Sequence, residues 1–168
     1  MRIRVLQKSD TGVESVASVA LFNDKGELLF GRRKDSGKYT LAGGHLEEGE
    51  KPQHAAIREV LEETCLIPSD LKYLGEETLV APETKKTIRV YAFKAQAQGH
   101  GIEFGDPDEE CETWEWVDVS QGIPGAILNN LHAPRNVVLG LLGLQKETDL
   151  AKMALIYDHP TFAMAMVP

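Results

Sequence analysis

Cysteine is scarce in this chain of 168 residues, which contains only Cys65 and Cys111. Those two could pair in principle, but they give no disulfide framework of the kind that staples small secreted domains. Long apolar runs are missing too. No stretch reaches membrane-spanning length, and the opening MRIRVLQKSD has two arginines but no hydrophobic signal core. The expected compartment is therefore the cytoplasm or its equivalent, with no membrane partner. Basic charge is also in deficit: 18 Lys and Arg stand against 26 Asp and Glu, a net charge of −8. A broad grip on nucleic-acid backbones needs many cations releasing counterions, so a nucleic-acid polymer is disfavoured as partner. No basic, aromatic-rich groove is evident either. Repeats and low-complexity tracts are absent.

What remains suits one globular domain, since 42% hydrophobic content over this length can bury a sizeable core. Residues 1–148 are expected to form it. Residues 149–168 read as a surplus tail, with Met153, Met164 and Met166, that packs on the domain or joins a partner chain, a second copy included. Val16 to Phe22 and Leu28 to Arg33 read as strands around the turn Asn23-Asp24-Lys25-Gly26. Tyr39 to Leu41 is a short run, and Leu71 to Val80 with Thr87 to Ala97 a longer hairpin. Gly99 to Glu112 reads as an acidic loop and Trp114 to Val119 as a last strand. There Trp114 and Trp116 alternate with Glu115, so at least one faces the core. Ile127 to Leu131 and Val137 to Lys146 are helical candidates separated by Pro134. The expected class is α/β.

Between the two halves lies GHLEEGEKPQHAAIREVLEETCL, from Gly44 to Leu66. Its helix is predicted over Pro52 to Thr64, because proline suits a first turn where its missing N–H has no partner. Ile57, Val60, Leu61 and Thr64 follow the i, i+3, i+4, i+7 spacing of a buried stripe. Glu59, Glu62 and Glu63 occupy the other side, within reach of a common ion. An ordinary solvated face is the alternative. Yet Glu62 and Glu63 sit in the last turn, where the helix end is already negative and cations are preferred. Mutually repelling carboxylates there suggest a compensating cation, and hard oxygen donors suit Mg²⁺ or Mn²⁺.

The segment resembles the Nudix box, G-x5-E-x7-R-E-U-x-E-E-x-G-U with U aliphatic. Gly44, Glu50, Arg58, Glu59, Val60, Glu62, Glu63 and Leu66 fit it. At average residue usage its glycine and charged positions would coincide by chance with odds of about one in 10⁵. Cys65 departs from the pattern, standing where the family usually has glycine. A side chain in the left-handed conformation there costs roughly 1 kcal/mol, so the helix is expected to end differently, with Cys65 as a small buried hydrophobe.

The resemblance implies a Nudix α/β/α sandwich around a mixed β-sheet. It further implies metal held by Glu59, Glu62, Glu63 and the Gly44 carbonyl, and Arg58 bracing Glu50 and Glu62 rather than forming a simple exposed pair. Gly43 would pass close to the substrate. The segments CETWEWVDV and VVLGLLGLQKE are similar to a branch of MutT-like nucleotide triphosphate diphosphatases. That likeness would place His45 beside the nucleotide and Gly140 and Leu141 near the base, with helix packing as the equal alternative for the last two. It also calls for a further acid from Asp108, Glu109, Glu110 or Glu112. One of Arg32, Arg33 and Lys34 is expected near the phosphates. The implied activity is Mg²⁺-dependent hydrolysis of a nucleoside triphosphate to monophosphate and pyrophosphate, with Glu62 or the late acid taking a proton from water. ADP-ribose, a dinucleoside polyphosphate and an RNA 5′ end are alternative substrates, and a silent nucleotide-binding regulator the alternative class.

Overall fold

The computed structural model describes residues 12–80, 84–98, 111–132 and 136–144. Asp108, Glu109, Glu110 and the 149–168 tail lie outside them. In order come β1 (Val13–Phe22), β2 (Leu28–Arg33), β3 (Tyr39–Thr40), β4 (Ala42–His45), α1 (Pro52–Thr64), β5 (Ile67–Val80), β6 (Thr87–Gln98), β7 (Cys111–Val117), α2 (Gly125–Leu128) and α3 (Asn136–Leu141). The described strands form one mixed sheet in the order β3-β2-β1-β6-β5, with β4 also on β1 and β7 on β2. β1 and β6 run parallel from Val13 opposite Thr87 to Phe22 opposite Gln96, while β1–β4 and β5–β6 are antiparallel.

β1 explains the layering. Its alternate side chains divide between two cores: Val16 and Ala20 join Leu28, Phe30, Val90 and Leu139, whereas Ala17, Val19 and Leu21 join Leu29, Ala56, Val60 and Phe93. A strand buried on both faces must be apolar at nearly every position, as SVASVALF is. Helix α1 covers one face and α2 and α3 the other, giving the α/β/α sandwich. Trp114 and the partly buried Trp116 both belong to the α1-side core. Gly31 lies opposite Trp114 across β2 and β7, and a Cβ there would meet the indole at 2.8 Å. None of the described helices is long and apolar enough to cross a membrane.

Several expectations need correction. Gly43 and Gly44 belong to a strand not expected from the sequence, β4, zipped to Ser18 and Ala17. The buried face of α1 comprises Ala55, Ala56, Glu59, Val60, Glu63 and Thr64, while Ile57 and Leu61 are exposed. The inward side is thus turned by about one residue, or about 100°, from the expected stripe. Two alanines bring the helix close to β4, and Glu63 finds a partner there while Glu59 is held by Arg58, which outweighs the preference of isoleucine and leucine for burial. Cys65 does take the left-handed conformation (φ 58°), its N–H donating to the Leu61 carbonyl at 3.0 Å, so the helix stops as a glycine would stop it. Cys65 is exposed rather than buried. Helix α3 closes at Leu141, with Gly143 at φ 68° after it, and the Gln145–Lys146 end of the expected helix lies outside the described residues.

Candidate active site

Arg58 is the hub of the box. Its Nε donates to Glu50 Oε2 at 2.8 Å, and Nη2 donates to Glu50 Oε1 at 2.9 Å and to the His45 carbonyl at 3.0 Å. Nη1 donates to Glu59 Oε1 at 2.9 Å and to Glu62 Oε2 at 3.3 Å. A guanidinium has five N–H groups in a rigid fork, and these five contacts use them all. Glu50 in turn accepts the Glu47 N–H at 3.0 Å, closing the loop ahead of the helix. The hydrogen bonds to Glu50 above all, with the charge of Glu59, hold Arg58 above its ordinary pKa against the opposing effect of burial. It therefore stays a cation, bracing Glu50 and Glu62 together.

The two glycines set the other wall. A Cβ at Gly43 (φ 151°) would run into the Ala17 carbonyl oxygen, so glycine permits β4 to lie this close to β1. The Gly43 N–H donates to Glu63 Oε1 at 2.8 Å. At Gly44 a Cβ would fall 2.6 Å from the Glu59 carboxyl, so only a residue without a side chain leaves room for that carboxylate. Glu59 and Glu63 are accordingly 1% and 4% exposed, a degree of burial that charged groups tolerate only when partnered.

Among the described residues no three His, Cys, Asp or Glu side chains already enclose a metal-sized space, so Glu59, Glu62 and Glu63 are not set as a closed cage. The physical reason is local. Glu59 and Glu62 share one guanidinium nitrogen, whereas Glu63 is anchored on the β4 backbone. The donor chemistry still fits a hard divalent cation, because the Glu59 and Glu63 carboxylates lie against the glycine backbone of β4, where no Cβ intervenes. Ile57, Leu61, His54, Arg58 and Glu62 line a shallow depression of about 440 Å³ along the outer side of α1.

His45 stands at the end of β4, its Nε2 3.3 Å from Glu14 Oε2, and the other Glu14 oxygen lies 3.1 Å from Lys86 Nζ. Burial pushes the Glu14 carboxyl up, but the hydrogen bonds from Lys86 and His45 and their charges outweigh it, leaving the pKa below its ordinary value. Sequence reasoning missed Glu14 and Lys86. Gly140 and Leu141 are not brought to the glutamates: α3 packs on β5, β6 and β1, and the Leu141 side chain lies 3.5 Å from where a Gly75 Cβ would stand. Glu112 belongs to β7 rather than a loop and lies 3.8 Å from Arg32, while Arg33 is 2.9 Å from Asp35.

Comparison with known proteins agrees with this architecture. The profile of the NUDIX domain matches residues 13–137. The RNA pyrophosphohydrolase of Gluconobacter oxydans is 34% identical over 131 residues, covering 66% of this chain and 72% of that protein. The ADP-ribose pyrophosphatase of Methanocaldococcus jannaschii is 28% identical over 104 residues, 60% of this chain and 62% of that one. A crystal structure of a MutT NUDIX hydrolase from Burkholderia pseudomallei superposes with a TM-score of 0.65 at 20% identity, covering 77% and 98% of the two chains.

Proposed function

Because this chain belongs to the Nudix hydrolase family, we propose that it hydrolyses a phosphoanhydride bond of a nucleoside triphosphate, releasing the monophosphate and pyrophosphate with the help of Mg²⁺. The single observation that carries the reading is the Arg58 hub, which binds loop and helix carboxylates into one assembly beside β4. Glu59, Glu62, Glu63 and the Gly44 carbonyl would hold the metal, with Mn²⁺ able to replace Mg²⁺. When bound, the cation neutralises phosphate oxygens and lowers the pKa of water. The chain's own residues do the rest. Arg58 fixes the direction of Glu50 and Glu62, since a bidentate guanidinium holds a carboxylate in one plane. Glu63 keeps the Gly43 amide in place, and Gly43 lets the substrate approach the backbone. Glu62, the most exposed of the three helix glutamates at 28% of its side chain, is best placed to accept a proton from the attacking water.

A second reading has a specific observation behind it. The Gluconobacter relative is named an RNA pyrophosphohydrolase, and an RNA 5′ end carrying a triphosphate offers the same anhydride as a free nucleotide. The ADP-ribose pyrophosphatase relative keeps ADP-ribose on the panel. The test is turnover of nucleoside triphosphates, 5′-triphosphorylated RNA, capped RNA, dinucleoside polyphosphates and ADP-ribose with Mg²⁺, reading the products by mass. Monophosphate plus pyrophosphate from a free triphosphate is the expected result. Preference for RNA ends by an order of magnitude in kcat/KM would replace the first reading with the second. Binding of these ligands with no metal-dependent turnover would overturn both in favour of a regulator.

A further inference from the structure

Arg58 spends all five of its N–H groups on the protein, so it has no donor to offer a phosphate without letting go of a carboxylate. In a chain of net charge −8, a polyanionic substrate needs cationic contacts from other residues. The described structure holds one such group, the Lys86 ammonium, close to His45 at the end of the sheet. Glu14, the second residue of β1, pairs with Ile88 of β6 on one side and lies near β4 on the other, and its two carboxylate oxygens reach His45 Nε2 at the end of β4 at 3.3 Å and Lys86 Nζ, just ahead of β6, at 3.1 Å. Only 15% of the Glu14 side chain is exposed, whereas 34% of His45 and 55% of Lys86 are. The carboxylate is covered, while the imidazole and the ammonium are presented. An ammonium has three N–H groups, so Lys86 keeps donors beyond the one turned to Glu14.

Alternation along the strands fixes which way this group faces. Val16 lies opposite His45 and packs in the core beneath α3, and Glu14, two residues earlier on β1, shares its face. Gly44 instead presents its Cα to Glu59 on the α1 side. The His45 carbonyl is meanwhile bound by Arg58 Nη2, so one residue joins the carboxylate assembly through its backbone and Glu14 through its ring. An extended anion lying over the end of β1 and β4 would have carboxylates and their metal on one side and His45 with Lys86 on the other.

We propose that Glu14 is a positioning residue that holds the Lys86 ammonium beside the His45 ring at the rim of the site, where the ammonium receives the anionic phosphate chain of the substrate. The proposal rests on the pyrophosphohydrolase reading above. The test uses the full chain, with E14Q, K86M and the double variant assayed with Mg²⁺ on the best substrate of the panel and melting temperatures recorded alongside. KM is expected to rise about five- to tenfold in each single variant, more than kcat changes, because binding common to substrate and transition state is lost. The double variant should be no worse than K86M alone, since both changes disable one unit. K86R should recover most of the loss. Unchanged KM in K86M, or additive effects in the double variant, would overturn the proposal; should E14Q fail to fold, K86M and K86R decide. If the wild-type chain turns over nothing on the panel, the reaction reading fails by itself. The rim is then tested by calorimetric titration with inorganic pyrophosphate, where E14Q and K86M should bind about five- to tenfold more weakly, and equal affinity in all three proteins refutes it.

Discussion

Replacing Arg58 with methionine keeps an unbranched stem of similar length but removes every donor. The loss can be worked out contact by contact. Glu59, 1% exposed, would keep its charge inside the protein without the guanidinium that faces it at 2.9 Å. Breaking one side of a buried pair costs about 3–5 kcal/mol, because the remaining charge stays desolvated. The Glu50 bonds at 2.8 and 2.9 Å would go too, but that side chain is 14% exposed, so water can enter and repay part of the loss. The contact to Glu62, 28% exposed, contributes little because solvent screens it. Arg58 is itself 20% exposed, so the lower end of the range, about 3 kcal/mol, is the better figure. For a domain of this size that corresponds to a drop of about 6–12 °C in melting temperature. Urea unfolding and thermal melts of R58M against wild type measure it. A drop under about 2 °C, with unchanged urea midpoint, would show that the hub carries no stability and that the bracing argument is wrong.

Three other outcomes follow from the same geometry. C65G should raise stability by about 1 kcal/mol, since Cys65 holds φ 58° at a cost glycine avoids, and the urea midpoint should shift upward. G44A places a methyl group 2.6 Å from the Glu59 carboxyl, so it should cost about 1–3 kcal/mol by overpacking and lower turnover at least tenfold; near-normal values in both assays would mean that β4 yields easily. E63Q preserves shape and a hydrogen-bond acceptor for the Gly43 amide but removes a charge, so the melting temperature should change little while Mg²⁺-dependent turnover falls by about two orders of magnitude. Near-normal rates at saturating Mg²⁺ would remove Glu63 from the metal set.

The sequence was most legible where one local rule acted alone. Helix α1 runs from Pro52 to Thr64 as proline placement and the acidic spacing indicated, and β2 has the expected ends. The family pattern reached the Arg58–Glu50 bridge because both residues lie within a short, ordered segment. The face of α1 was misread because hydrophobicity ranks Ile57 and Leu61 above Ala55, Ala56 and two glutamates. What decides burial is close approach to β4 and the partners waiting there, which no helical period encodes. β4 was hidden because Gly-Gly is the composition of a turn, and only the register with Ala17 and Ser18 makes it a strand. Glu14 could not be singled out at all. Its partners come from two other strand ends, brought beside it by parallel and antiparallel pairing at once.

β1 has hydrogen-bonding neighbours along both edges and a sealed core on both faces. Its amides, from Val16 to Leu21, should be the last in the protein to exchange with deuterium, opening only when the whole domain unfolds. Gly43 and Gly44 are stitched to that strand and inherit its protection. The peptide groups that meet the carboxylates are thereby tied to the strand expected to open last, so their spacing should outlast thermal breathing in the outer layers.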